Sequence, residues 1–330
     1  MTFQGDHRLF QLARFAAILL AGSGAVNAQE VYPARAITFV VPFAAGGVHD
    51  TAARIIAEKI GPAINGAVII DNRAGAGGRI GTEYVVKAKP DGHTLLFGTV
   101  TTLVLSPLME KDLPYDIERD LTGISPVSRF YIVLATSSGS EYKSVKGLVD
   151  VIKSKKTYIT YGTAGVNTPI HLAGAWLAYL AGAPAEAVHY KGGAAALTDL
   201  VAGRGSFQFE TLSSARPHVI AGRLNILAVA GNARLTQIPN VPTMAEAGLP
   251  EFTQVDWSAW NAVFAPAGTP ARVTERVNAA IRDALEDPAV QRRLNDSGLE
   301  PALGFTTRAT QDYHRTQLER WRATLKILGY

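Results

Sequence analysis

The 330-residue chain contains no cysteine. Disulfides, thiol nucleophiles and cysteine-ligated metals are therefore excluded, and so is the acylated cysteine that anchors a lipoprotein. Charge is scarce as well: 18% of residues are Asp, Glu, Lys or Arg, with 32 basic side chains against 28 acidic ones. That small surplus is spread out with no basic run, so no nucleic-acid partner is expected. Long apolar runs are missing too. The stretch from Phe15 to Val26 is broken by Gly22, Ser23 and Gly24 and falls short of the roughly 20 residues that span a bilayer. No later stretch is long and apolar enough either. Catalytic signatures are also absent: the chain has no GKS or GKT phosphate loop, no GxSxG elbow and no HExxH helix. Its seven histidines show no metal-ligand spacing. Neither a metal nor a cofactor is expected, and no residue stands out as catalytic.

What is present at the N-terminus reads as an export signal. Arg8 and Arg14 precede the short apolar run, which closes on Val26-Asn27-Ala28, small residues at the positions a signal peptidase reads. Residues 1–28 are thus expected to be a signal peptide, cleaved after Ala28, that sends the protein to the periplasm. The roughly 300 residues that remain exceed what one core comfortably fills, so two domains are expected.

From residue 36 onward, apolar strand-like runs alternate with glycine-bearing turns and helical patterns. AITFVVP leads into AAGGVHD and a helix from about Thr51 to Ile60; VIID leads into RAGAGGRIG and a helix through Lys87; TLLFG leads into TVTTLVLSPLM. This alternation predicts an α/β fold with parallel sheets, whose ligands bind in loops at the carboxyl ends of the strands. FYIVLATS at 130–137 opens a second series, and WSAWNAVFAP at 257–266 reads as a later strand before two amphipathic helices at about 271–285 and 308–328. Crossings near 128–131 and 252–258 divide the chain into one lobe of 29–130 and 254–330 and another of 131–253, with a cleft between them.

The first glycine turn carries the most information. Gly46 and Gly47 follow a strand and precede a helix, where glycines let backbone N–H groups approach a ligand and the helix dipole attracts anions. Asp50 is read as the N-cap of that helix. RAGAGGRIG is not a dinucleotide fingerprint, because Ile80 occupies the third glycine position. His49 lies in the ligand loop and His171 near a helix start. A general base needs a nucleophile, and Thr163, Thr168, Ser213 and Ser214 sit in no recognisable nucleophile setting, so hydrogen-bonding roles are expected for both rings.

In that order, VVPFAAGGVHDTAARIIAEKI, DNRAGAGGRIGTEYVVKAKPDGHTLLFG, LPYD, GTAGVNTPIHLAG, VHYKGGAAALTDLVAGR, PTMAEAGLP and FAPAGTP resemble the tripartite tricarboxylate transporter receptors, the TctC-like or Bug family. The resemblance runs from about Tyr32 to the last helix. It implies a type II periplasmic-binding-protein fold and a monomeric, non-catalytic receptor. Such a receptor captures a small carboxylate, largely through backbone amides and water, and hands it to a large and a small membrane subunit. Carried over residue by residue, it implies ligand contacts at Phe43, Ala44, Ala45, Gly46, Gly47, Val48, His49 and Asp50, and at Thr99, Thr101 and Thr102. From the other lobe it implies Thr163, Asn167, Thr168, Tyr190, Lys191 and Glu210, with His171 beside them. The usual pattern has Gly and Thr where this chain has Val48 and His49, and Asp near Glu210. The bulk of Val48 and the ring of His49 point to an aromatic or less polar carboxylate, with a dicarboxylate as the other candidate, and His49 suggests pH-dependent affinity. A receptor presented to a membrane sensor kinase and a periplasmic hydrolase are the competing readings.

Overall fold

The computed structural model describes residues 32–330 apart from Lys191 and Asp256. The signal-like segment and Lys191 therefore lie outside the described residues.

Strand β1 (Ile37–Val41) is flanked in parallel by β2 (Val68–Asn72) and β3 (Thr94–Thr99). ITFVV is apolar almost throughout, as a central strand covered on both faces requires. Helix α1 (Val48–Ala63) connects β1 to β2, and α2 (Arg79–Val86) lies between β2 and β3. The first helix starts three residues earlier than its sequence pattern predicts. Gly47 is its N-cap and gives no side-chain cap, and Asp50 lies within the first turn.

Strand β4 (Leu121–Phe130) ends the first pass through this sheet, and after a single residue β5 (Ile132–Ser137) belongs to a second sheet. That sheet also holds β6 (Thr160–Thr163), β7 (Glu186–His189), β8 (Phe207–Thr211) and β9 (Leu224–Val229), in the order β7-β6-β8-β5-β9. Four helices serve it: α3 (Val145–Ser154), α4 (Pro169–Leu180), α5 (Gly193–Val201) and α6 (Leu212–Ile220). The chain then returns to the first sheet as β10 (Ala259–Pro266). It finishes with α7 (Ala271–Glu286), α8 (Pro288–Asp296), the short β11 (Glu300–Pro301) and α9 (Thr307–Ile327). The first sheet has the order β11-β4-β10-β3-β1-β2.

The expected parallel sheets are in fact mixed. β10 runs antiparallel to β3 and β4, and β5 antiparallel to β8 and β9. Apolar periodicity marks a strand but carries no direction, and strands that enter from the other lobe run against the βαβ series. Each sheet is covered by helices, so the architecture is a two-lobed α/β fold, with the turns after β1, β3, β6 and β8 directed toward one cleft. Among the described residues no helix is long and apolar enough to cross a membrane.

Candidate ligand-binding cleft

The cleft encloses a cavity of about 620 Å³. One wall is the loop from Phe43 to Gly47 and the start of α1, joined by Thr99 to Thr101, Phe130 and Ala259. The facing wall carries Ile132, Ala164, Thr168, Ile170, Gly192, Gly193, Glu210, Thr211, Ser213 and Ser214. No Lys or Arg lines it among the described residues, and Glu210 is the one charged side chain there.

The loop after β1 is organised from behind by Asp50. This residue is 3% exposed, and its carboxylate accepts the backbone N–H of Gly46 at 2.8 Å, Arg54 Nε at 2.9 Å and Asn72 Nδ2 at 3.0 Å. Burial alone would raise its pKa, but the bonds from Arg54, Gly46 and Asn72 outweigh that and hold it below the usual range. Two expectations change as a result. Asp50 is not the N-cap, because the helix has already begun at Val48 and the carboxylate reaches back past Gly47. Gly46 has its amide committed to Asp50. With Gly47 supplying no cap, the N–H groups of the first turn of α1 are left open, as an anion site at a helix start needs.

Val48 and His49 bring bulk to this wall. The His49 ring packs 4.6 Å from Phe43 and 5.6 Å from Phe130, and its Nδ1 bonds Asn261 Oδ1 at 2.7 Å. Asn261 Nδ2 donates to Ser128 Oγ, so Oδ1 is the acceptor and His49 Nδ1 carries the proton. Burial, opposed by the Asn261 bond, lowers the His49 pKa to about 4. The ring is therefore neutral near pH 7, and the pH-dependent affinity suggested by the sequence is not expected from it.

Thr99 and Thr101 reach the cavity wall, while Thr102 is turned away to bond Thr99. The RAGAGGRIG loop packs beneath this turn. Gly78 has φ +95°, and a Cβ there would fall 2.4 Å from Thr102 Cγ2, so the glycine serves close packing of the scaffold.

In the facing lobe, Thr168 caps α4 by accepting the His171 N–H at 3.2 Å, and Thr211 caps α6 by accepting the Ser214 N–H at 3.3 Å. Thr163, Asn167, His171 and Tyr190 stand behind the cavity wall. Thr163 Oγ1 bonds His189 Nδ1 at 2.8 Å, Asn167 N–H donates to His171 Nδ1, and Tyr190 Oη donates to Asp199. Burial, reinforced by His189 with its ring 5.0 Å away, lowers the His171 pKa to about 4. Helix α5 begins at Gly193 after an uncapped Gly192, and a Cβ on Gly193 would fall 2.1 Å from Glu210 Oε2. Glu210 is 2% exposed, and its oxygens accept Gln208 Nε2 and the Thr211 N–H, both at 2.8 Å.

The tripartite tricarboxylate transporter family receptor model matches residues 52–330. The chain belongs to that family. A relative in Pseudomonas sp. strain P51, a protein of the tcbD-tcbE intergenic region, is 37% identical over 94% of this chain and 91% of its own. Among solved structures, a Rhodopseudomonas palustris protein with adipate superposes with a TM-score of 0.84 at 30% identity, covering 90% of this chain and 98% of that one. MatC of the same organism, with bound malate, gives 0.81 at 29% identity, covering 89% and 99%. This receptor is thus a solute-binding protein of the periplasmic type.

Sequence reasoning missed part of this receptor's cleft. Phe130 and Ile132 flank the interlobe crossing, Gly193 opens α5 and Ser214 lies in the first turn of α6 after a strand, so the same strand–turn–helix signal that exposes the first loop could have found them. Ala259 and Ser297 arrive from the C-terminal third and carry no local signal.

Proposed function

We propose that this receptor captures a small organic carboxylate in the cleft and delivers it, unchanged, to a membrane transporter of one large and one small subunit. The observation that carries this reading is the uncapped start of α1, whose open N–H groups line a cavity with no Lys or Arg among the described residues. Such a site holds an anion by dipoles rather than by a counter-charge. The relatives with adipate and malate support the same class of ligand. On this reading the lobes are 29–130 with 254–330, and 131–253, closing as a monomer around the ligand. Residues 1–28 act as the export signal. Contacts come from Phe43 to His49, Thr99, Thr101, Thr168, Lys191 and Glu210, with Asp50, Thr102, Thr163, Asn167, His171 and Tyr190 supporting them. The aromatic edge formed by Phe43, His49 and Phe130 favours a ligand with an apolar or aromatic body.

A thermal-shift panel of aliphatic, hydroxylated and aromatic carboxylates tests this. A ligand at 100 times its dissociation constant adds about 2.7 kcal/mol of stability. The expected result is a shift with at least one carboxylate, with the ligand recovered unaltered. Turnover of the ligand, or no shift with any carboxylate, would overturn the reading.

A further inference from the structure

Glu210 differs from everything else on the cleft wall. A carboxylate taken out of water is normally paired with a cation or takes a proton. Glu210 has neither a Lys nor an Arg partner among the described residues; its oxygens accept Gln208 Nε2 and the Thr211 N–H, and the Thr211 hydroxyl stands within reach. An ionised carboxylate has room for further donors at both oxygens. Burial pushes this carboxyl up to about 7, with the bonds from Thr211 and Gln208 opposing the rise.

Its position matters as much as its charge. In one lobe the uncapped start of α1 is open, because the acid in its first turn, Asp50, is committed to Gly46, Arg54 and Asn72. In the other lobe the uncapped start of α5 already has an acid against it, since Glu210 Oε2 fills the space a Gly193 side chain would need. One wall therefore offers donors and the other an acceptor.

Building on the carboxylate reading above, we propose that Glu210 is a specificity-determining residue. It selects a ligand that carries a hydroxyl or ammonium group at the end remote from its carboxylate, and it disfavours a second ionised carboxylate there. The ligand carboxylate faces α1, and the donor group fills the open acceptor sites of Glu210.

Calorimetric titration of the purified protein at pH 8, where Glu210 is largely ionised, tests this. The probes are matched series from succinate to suberate, the ω-amino and ω-hydroxy acids of the same chain lengths, and the simple monocarboxylates. The donor-bearing acids should bind about tenfold or more tightly than the matched dicarboxylates, the size expected of one hydrogen bond to a charged group. Glu210→Gln should abolish that preference while changing simple monocarboxylates by less than about threefold. Dicarboxylates that bind the wild type as tightly as the donor-bearing acids, or a preference that survives Glu210→Gln, would overturn the inference alone. Failure of every probe, monocarboxylates included, would overturn this inference, and the carboxylate reading falls with it when aromatic carboxylates fail as well. The wild-type ranking decides the matter if the variant does not fold.

Discussion

The two walls of the cleft solve the same problem by opposite means. On the first, the helix start is left uncapped, and the residue that could have capped it, Asp50, is spent behind the loop on Gly46, Arg54 and Asn72. On the second, Thr168 and Thr211 cap α4 and α6, and Glu210 stands against the start of α5. The first wall is aromatic around open amides, and the second caps two of its helix starts and sets a carboxylate against the third. The difference teaches that a helix start attracts an anion according to what is left unsatisfied there. Net charge nearby matters less.

The largest test removes the organiser of the first wall. Asp50→Ala strips the Gly46 amide of its partner, takes one partner from the Asn72 side chain and removes the ion pair of Arg54, which keeps its bond to Asn72. It should cost about 3 kcal/mol in urea unfolding and weaken carboxylate binding by about a hundredfold. Thr168→Ala, its counterpart on the second wall, removes an ordinary cap and should cost only about 1 kcal/mol. Equal losses at the two sites would erase the contrast.

Next in size is a pH effect of opposite sign for the acid and the imidazoles. Glu210 has its folded pKa raised from 4.5 to about 7 by burial. Between those values the folded protein keeps a proton that the unfolded chain has released, so this group's contribution falls as pH rises, by roughly 3 kcal/mol in all. His49 and His171 are lowered from 6.5 to about 4, again chiefly by burial. Their contribution is fully present above pH 6.5 and is lost as pH falls toward 4. Urea unfolding of the wild type and Glu210→Gln across pH 4.5 to 7 separates them. The variant should gain on the wild type steadily through that window, and a constant difference would show that Glu210 does not titrate there.

Gly193→Ala comes third. Its Cβ would lie 2.1 Å from Glu210 Oε2, so either α5 or the carboxyl must move. A destabilisation of about 2 kcal/mol is expected. Gly47→Ala meets nothing closer than 3.6 Å and has ordinary φ, so it should cost well under half of that. Reversal of that order would mean that the first wall is the tighter one.

Much of this was readable in the sequence, and the failures have physical causes. VVPFAAGGVHD announces its strand, turn and helix because apolar residues, glycines and the helical pattern follow in that order. LTGISPVSRF conceals β4, since Gly123 and Pro126 interrupt the pattern; in the sheet Pro126 pairs at a register shift opposite Ala262, where the irregular ladder spares the missing N–H. The role of Asp50 was misjudged because a carboxylate within the first turn can cap forward or reach backward, and only the position of Asn72 on β2 settles which. Likewise, Glu210 reads as one more strand-end acid until the fold buries it without a Lys or Arg beside it among the described residues.

The smallest and sharpest test concerns His49. Its ring is wedged between Phe43 and Phe130 and donates Nδ1–H to Asn261, leaving Nε2 as an acceptor. His49→Ala removes this bond and two ring contacts, which should cost about 1 kcal/mol of stability. Aromatic carboxylates should lose about tenfold in affinity and short polar ones much less. Between pH 6 and 8 the wild-type affinity should show no step traceable to this ring, because burial holds its pKa near 4. NMR titration of the imidazole checks that directly. A midpoint near 6.5 would mean that the ring is solvated and gains charge on mild acidification, and the first wall would then recruit its anion by charge, which the contrast with the second wall denies.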